Sequence, residues 1–256
     1  MGDKNKCDEA ATNAMRNKLN SIYFNGIISI GEGAKDNAPM LFNGERVGKL
    51  NDGPLFKLAV DPLDGTTQAA KLGKEAMCII AMTDGHFFET EEHYMWKVCS
   101  KYEFSHKELK NIHYLVSEIK KKVKFPTFCL LDRPRHKDLV ETLLELNCRI
   151  KLIQDCDVSA SISAMTDNID CYLGYGGAPE GVISAAAIKN LKGYFYGMIE
   201  DKVLTMDDLV TGNSMFCASA VTDGCLLEGI KLEDTKAAIN SLMITNRYVR
   251  NIKTLL

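Results

Sequence analysis

The stretch DPLDGTT, Asp61 to Thr67, sets two acids, a proline, a glycine and two threonines between the apolar run LFKLAV and the helical pattern QAAKLGKEAM. Asp-Gly and Pro are ordinary turn signals, and they end a strand. At a strand-to-helix junction the same residues also suit a metal and phosphate site. Asp61 and Asp64 can hold a cation, Gly65 and Thr66 can offer backbone N–H groups and a hydroxyl to a phosphate, and the proline fixes the turn between them. Four more stretches place acids beside glycines or at strand and helix ends: GDKNKCDEAATNAM, IGEGAKDNAPM, QDCDVSAS and GYGGAPEGV. Taken singly, each acid is a cap or turn residue. Converging from separate segments, they would repel one another unless cations neutralised them. Carboxylates without His or Cys partners suit Mg²⁺ or Mn²⁺ better than zinc, and ions so held suit phosphoester hydrolysis.

The elements that must position these acids alternate. GIISI, LFKLAV, MCIIAM, TFCLLD, RIKLI and IDCYLGY read as buried strands. In RHKDLVETLLELN, Leu139, Val140, Leu143, Leu144 and Leu146 recur at helical spacing. DVSASISAMTDN starts a helix with Asp157 as its N-cap, and APEGVISAAAIKNLKG carries a proline near its start and a glycine past its end. From Thr127 to Gly174 the order is strand, helix, strand, helix, strand, which predicts α/β architecture with parallel pairing in that half. HFFETEEHYMWKVCSKYEF reads as a hairpin after the turn TDG, followed by an irregular link into the helix KELKNIHYLVSEIKKK. A soft lobe boundary falls between about residues 100 and 126, where periodicity falters. The run KKKVK, Lys120 to Lys124, is a solvated helix C-terminus and not a nucleic-acid patch.

Composition bounds the function. With 256 residues and 46% apolar content the chain can bury a sizeable core. A net charge of -3 excludes a general nucleic-acid binder. The nine cysteines are scattered without a C-x-x-C pair, as expected of reduced thiols in a cytoplasmic protein. The N-terminal residues lack the apolar core of a signal peptide, no apolar run approaches membrane-spanning length, and Lys6 breaks the myristoylation pattern.

DPLDGT resembles the D-P-x-D/E-G-T signature of the metal-dependent, lithium-sensitive sugar and inositol phosphatase superfamily. Adding GDKNKCD, IGEGAKDNAPM, YMWK, RPRH and GGAPEGV in this order makes the chain similar to the class II fructose-1,6-bisphosphatases, the bacterial type, and GNSMFCASAVTDGCLLEGI continues the likeness. The resemblance implies an α/β fold of alternating helix and sheet layers, and a single two-lobed catalytic unit over 1–256, with a metal-binding lobe over 1–110 and a substrate-completing lobe over 125–256. It implies a gluconeogenic hydrolase that releases the 1-phosphate of fructose 1,6-bisphosphate with Mn²⁺ or Mg²⁺ and a metal-activated water, with sedoheptulose 1,7-bisphosphate as a second substrate. By the same resemblance Asp8, Glu32, Asp61, Asp64 and Glu180 are metal ligands, and Asp36 and Thr66 act on the attacking water. Gly65, Thr66, Tyr94, Arg133, Arg135, Asp155, Asp157 and Gly177 contact the sugar bisphosphate. Arginines suit a distal phosphate and acids suit sugar hydroxyls. Assembly as a homo-oligomer, dimer or tetramer, is also implied.

The chain departs from that pattern in places. Members usually carry a further helix before GDKN, and the segments after YMWKV and LKGYFYGMI are shorter here. Asp64 stands where many members have Glu, Arg133 where Lys is common, and Cys156 where a glycine is common. These departures bear on assembly, regulation and turnover more than on reaction type. One rival is an inositol monophosphatase-like enzyme, disfavoured because Trp96 is followed by Lys97 and not by the W-D-x-A-A-G motif of that branch. The other is a non-catalytic paralogue that binds metal and sugar phosphate, disfavoured by the retained Asp36 and Thr66.

Overall fold

The computed structural model describes residues 2–31, 40–90, 93–166, 168–233 and 235–256. Its strands form two sheets. The first contains β1 (Asn25–Ile30), β2 (Arg46–Val47), β3 (Leu55–Asp64), β4 (Met77–Thr83), β11 (Ser214–Ala220), β12 (Lys231–Glu233), β13 (Lys236–Thr245) and β14 (Val249–Leu255). Their order is β12-β13-β11-β4-β3-β1-β2, with β14 paired to β13. The second contains β5 (Tyr94–Ser100), β6 (Thr127–Leu131), β7 (Arg149–Ile153), β8 (Cys171–Gly177), β9 (Tyr194–Ile199) and β10 (Lys202–Leu204), in the order β10-β9-β5-β8-β6-β7.

All six strands read from apolar runs are present. The expected parallel pairing holds, since β6 runs parallel to both β7 and β8. In the first sheet β1 and β3 are parallel and the remaining pairs antiparallel. Residues 101–126 connect β5 to β6 within the second sheet, and the chain returns to the first sheet at Ser214. The expected hairpin after the turn TDG does not form among the described residues. Phe87 makes only an isolated bridge to Val210, and Tyr94 opens β5.

The described helices are α1 (Lys4–Leu19), α2 (Thr66–Lys71), α3 (Ile112–Lys120), α4 (Lys137–Glu145), α5 (Asp157–Ser163), α6 (Ala178–Asn190) and α7 (Met206–Leu209). α5 and α6 lie between the sheets: one core joins Ala59, Ile79 and Phe216 of the first sheet to Met95, Cys129 and Phe195 of the second through Val158, Val182 and Ile183. A helix enclosed on all sides must be apolar or small all round, and α6 buries every residue from Gly181 to Ile188. α3 and α4 cover the outer face of the second sheet in a core with Val98, Phe128 and Leu173. α1 contributes Met15 and Leu19 to a third core, with Ile28, Leu58 and Val60 of the first sheet. The layers therefore alternate helix, sheet, helix, sheet, helix. None of the described helices is long and apolar enough to cross a membrane, and the nine cysteines are free thiols.

Candidate active site

A cavity of about 700 Å³ opens between the sheets, where β3, β6 and β8 end and β5, α5 and α6 begin. Asp61, Asp64, Tyr94, Arg133, Arg135, Asp155, Asp157, Gly177 and Glu180 all line it. Strand ends and helix starts gather at such a crevice in layered α/β folds, and ligands bind there. Asp8, Gly65 and Thr66 are not among its lining residues. Asp8 lies on α1, which packs against α2 and β3, while Gly65 and Thr66 open α2 directly after Asp64. Glu32 and Asp36 lie outside the described residues.

The acids of DPLDGTT owe their positions to a break in the ladder. The register of β3 against β4 shifts between Asp61 and Asp64, where Pro62 has no N–H to give. Asp61 turns back to accept the Leu63 N–H at 3.1 Å. Gly65 then caps α2 with φ +85, a left-handed conformation in which any side chain would also overlap the Cys156 sulfur. Cys156 itself adopts φ +66, and its thiol donates to the Asp64 carbonyl at 3.2 Å. This clasp ties QDCD to DPLDGT. It also corrects the expected cap of α5: Cys156 is the N-cap residue, and Asp157 is the first helical residue, with its carboxylate drawn elsewhere.

Asp157 is drawn to a buried cation. Lys97, fully buried on β5, donates to Asp157 Oδ2 at 2.7 Å, and the Tyr172 hydroxyl donates to the same oxygen at 3.2 Å. A methyl at Gly176 would overlap that oxygen, so only glycine fits there. Asp64 is as well buried, yet its Oδ2 has no hydrogen-bond partner among the described residues. Burial pushes the Asp64 carboxyl well above the usual carboxylate range, and the charges of Asp61, Asp157, Glu180 and Asp155 push it further. Burial also raises Asp155, against the opposing effect of Arg133.

The arginines belong to a 3-10 turn, Pro134–His136, that follows β6: Arg133 caps it and Arg135 lies within it. Arg133 approaches Asp155 at 3.4 Å. Arg135 donates to the Tyr175 carbonyl at 2.9 Å and its guanidinium lies 5.4 Å from the Tyr94 ring centre. Tyr94 itself is 61% exposed and forms part of the cavity rim. His136 anchors the turn: its Nδ1 lies 2.8 Å from the Leu131 carbonyl, and Nε2 accepts the Tyr175 N–H at 2.9 Å. Accepting at Nε2 requires the neutral ring with the proton on Nδ1, and burial lowers its pKa accordingly.

Lys97, Tyr172, His136 and Gly176 escaped the reading of the sequence. Lys97 and His136 stand inside the quoted motifs YMWK and RPRH, and a lysine amid the apolar run MWKVC was the available signal of a buried charge.

The donor chemistry fits a hard divalent cation. Acids dominate the lining; of the described residues there, His93 and Cys156 are the one imidazole and the one thiol, the Cys156 thiol is given to the Asp64 carbonyl, and the buried Asp64 Oδ2 lacks a hydrogen-bond donor. Among the described residues no three of these groups are yet gathered as a ready-made metal cage, with Glu32 outside that set.

Comparison with known proteins agrees with this chemistry. The family described as bacterial fructose-1,6-bisphosphatase, glpX-encoded, matches residues 1–202 and 196–256. A protein of Crocosphaera subtropica named D-fructose 1,6-bisphosphatase class 2/sedoheptulose 1,7-bisphosphatase is 32% identical over 297 residues, covering 96% of this chain and 86% of that protein. Two strains of Prochlorococcus marinus have proteins of the same name, each 33% identical over 286 residues with the same coverage. With motifs, layers and cavity in agreement along nearly the whole chain, the protein belongs to the glpX-encoded bacterial fructose-1,6-bisphosphatase family.

Proposed function

We propose that the protein hydrolyses the 1-phosphate of fructose 1,6-bisphosphate, giving fructose 6-phosphate and inorganic phosphate, in the cytoplasm and as a homo-oligomer. One observation above all supports the reading: six carboxylates, among them Asp61, Asp64, Asp155, Asp157 and Glu180, and two guanidiniums line a single cavity in a member of this family. Asp61, Asp64 and Glu180 hold Mn²⁺ or Mg²⁺, with Asp8 and Glu32 completing the set by resemblance. When bound, such a cation neutralises the acids and the phosphate and lowers the pKa of water. Arg133 and Arg135 bind the distal phosphate, since a guanidinium can offer paired N–H groups to its oxygens. Asp155 and Asp157 accept from sugar hydroxyls, and Lys97 and Tyr172 fix the orientation of Asp157. Thr66 and Asp36 orient the attacking water and take its proton. The names of the relatives favour sedoheptulose 1,7-bisphosphate as a second substrate.

The test is phosphate release with Mn²⁺ or Mg²⁺ from fructose 1,6-bisphosphate, sedoheptulose 1,7-bisphosphate and an inositol monophosphate, with the sugar product identified. Release of fructose 6-phosphate is expected, with the inositol ester untouched. Preference for the inositol ester, or binding of the bisphosphate without release, overturns the reading.

A further inference from the structure

The first sheet ends in a strand that nothing covers among the described residues: β14 pairs with β13 on one side only, and all seven of its residues are exposed. An uncovered edge of this length is a template for another strand. Backbone directions limit how one could add. Ala237 and Leu256 exchange both hydrogen bonds across the hairpin, and Thr245 bonds to Tyr248 at its other end. Alternation along an antiparallel pair then turns the backbone groups of Arg250, Ile252 and Thr254 toward β13 and those of Val249, Asn251, Lys253 and Leu255 outward.

A second β14, run antiparallel about a two-fold axis, must pair outward-facing residues with one another, so the axis passes through a residue. Centred on Arg250 or Lys253, the pairing sets like charges face to face. Centred on Asn251, it sets Arg250 against Ile252 and Lys253 against Val249. Centred on Ile252, it sets Val249 against Leu255, Ile252 against itself, Arg250 against Thr254 and Lys253 against Asn251. That register alone matches every apolar residue with an apolar one and every cation with a neutral polar one. Val249 and Leu255 stand opposite Ile244 and Ala238, which are buried, so their pairing would extend the sheet's apolar layer across the axis.

We propose that β14 is the docking edge for a second copy of this chain, which joins the two first sheets into one continuous sheet about an axis through Ile252. An isologous contact of this kind needs no other partner and closes on itself.

Sedimentation measurement of the mass of the full chain in solution, with two variants and a control, tests this. In Asn251→Pro the lost N–H is one that points outward, so β13 pairing survives and the outer pairing fails. It is expected to halve the solution mass at unchanged far-UV circular dichroism. In the proposed register Ile252 faces its own copy at a Cα separation of about 4.5 Å, within disulfide reach, whereas Asn251 lies roughly 7 Å or more from its own copy. Under mild oxidation Ile252→Cys is expected to give a reducible cross-linked pair, and Asn251→Cys, which carries the same native thiols, is not. Single-chain mass for the wild type, an unchanged mass for folded Asn251→Pro, or equal cross-linking at both positions overturns the proposal.

Discussion

Asp64 and Asp157 share one cavity and are almost equally withdrawn from water, yet their surroundings are opposite. Asp157 has an ammonium and a phenol on one oxygen, at 2.7 and 3.2 Å. Asp64 has a buried oxygen without a hydrogen-bond partner among the described residues and four acids raising its proton affinity. A buried charge costs several kcal/mol unless paired. The protein carries its own cation for Asp157 and leaves Asp64 to be neutralised by a proton or by an added cation. The first arrangement fixes geometry; the second makes binding of a divalent ion favourable.

The comparison breaks first on activity. Asp61→Asn or Glu180→Gln, each measured by phosphate release at saturating Mn²⁺, is expected to lose about a thousandfold or more, equivalent to roughly 4 kcal/mol, while the fold persists. Activity within a few-fold of wild type would show that these acids do not serve the cation.

On the compensated side, Lys97→Met strands the Asp157 charge inside the protein. Denaturant unfolding is expected to show a loss of roughly 3 to 5 kcal/mol, partly recovered when Asp157→Asn is added to the same chain. Equal stability of single variant and wild type would mean the pair carries no charge.

The clasp between the two acidic loops gives a smaller effect. Gly65→Ala forces a side chain into a left-handed backbone and into the Cys156 sulfur, and should cost about 2 kcal/mol in unfolding experiments. Adding Cys156→Gly removes the overlap and should recover about half. Additive losses in the double variant would refute the contact.

The smallest effect follows from His136. Burial holds its folded pKa below the ordinary value of about 6.5, so between those two values the unfolded chain binds more protons. Its contribution is complete above about pH 6.5 and is lost as the pH falls toward the folded value. His136→Gln should flatten the decline of the thermal midpoint between about pH 7 and 5 relative to wild type. An unchanged slope would place the loss on other groups.

Much of this was legible in the sequence because it is written locally. The strands from Gly26 to Tyr175 are short apolar runs bounded by turns, and α4 shows its helical stripe directly. The acids announce themselves by standing beside glycines where those runs stop. Lys97 is different: its meaning depends on Asp157, sixty positions away in sequence, and no spacing rule links them. The β13–β14 hairpin is not legible in the sequence because its outer strand is exposed on both faces and lacks the alternation that marks a half-buried strand. Acids favour the N-cap position, which is what the sequence suggests for Asp157, but a buried ammonium at 2.7 Å competes better than a helix N–H.

Calorimetric titration of Mn²⁺ into the chelator-treated protein bears most directly on the buried acids. Saturable binding is predicted for the wild type and for Lys97→Met if it folds, with loss in Asp61→Asn, in Asp64→Asn and in Glu180→Gln. Absence of binding to the wild type, or equal binding to all three carboxylate variants, would contradict the reading of Asp64 and its neighbours as a cation site.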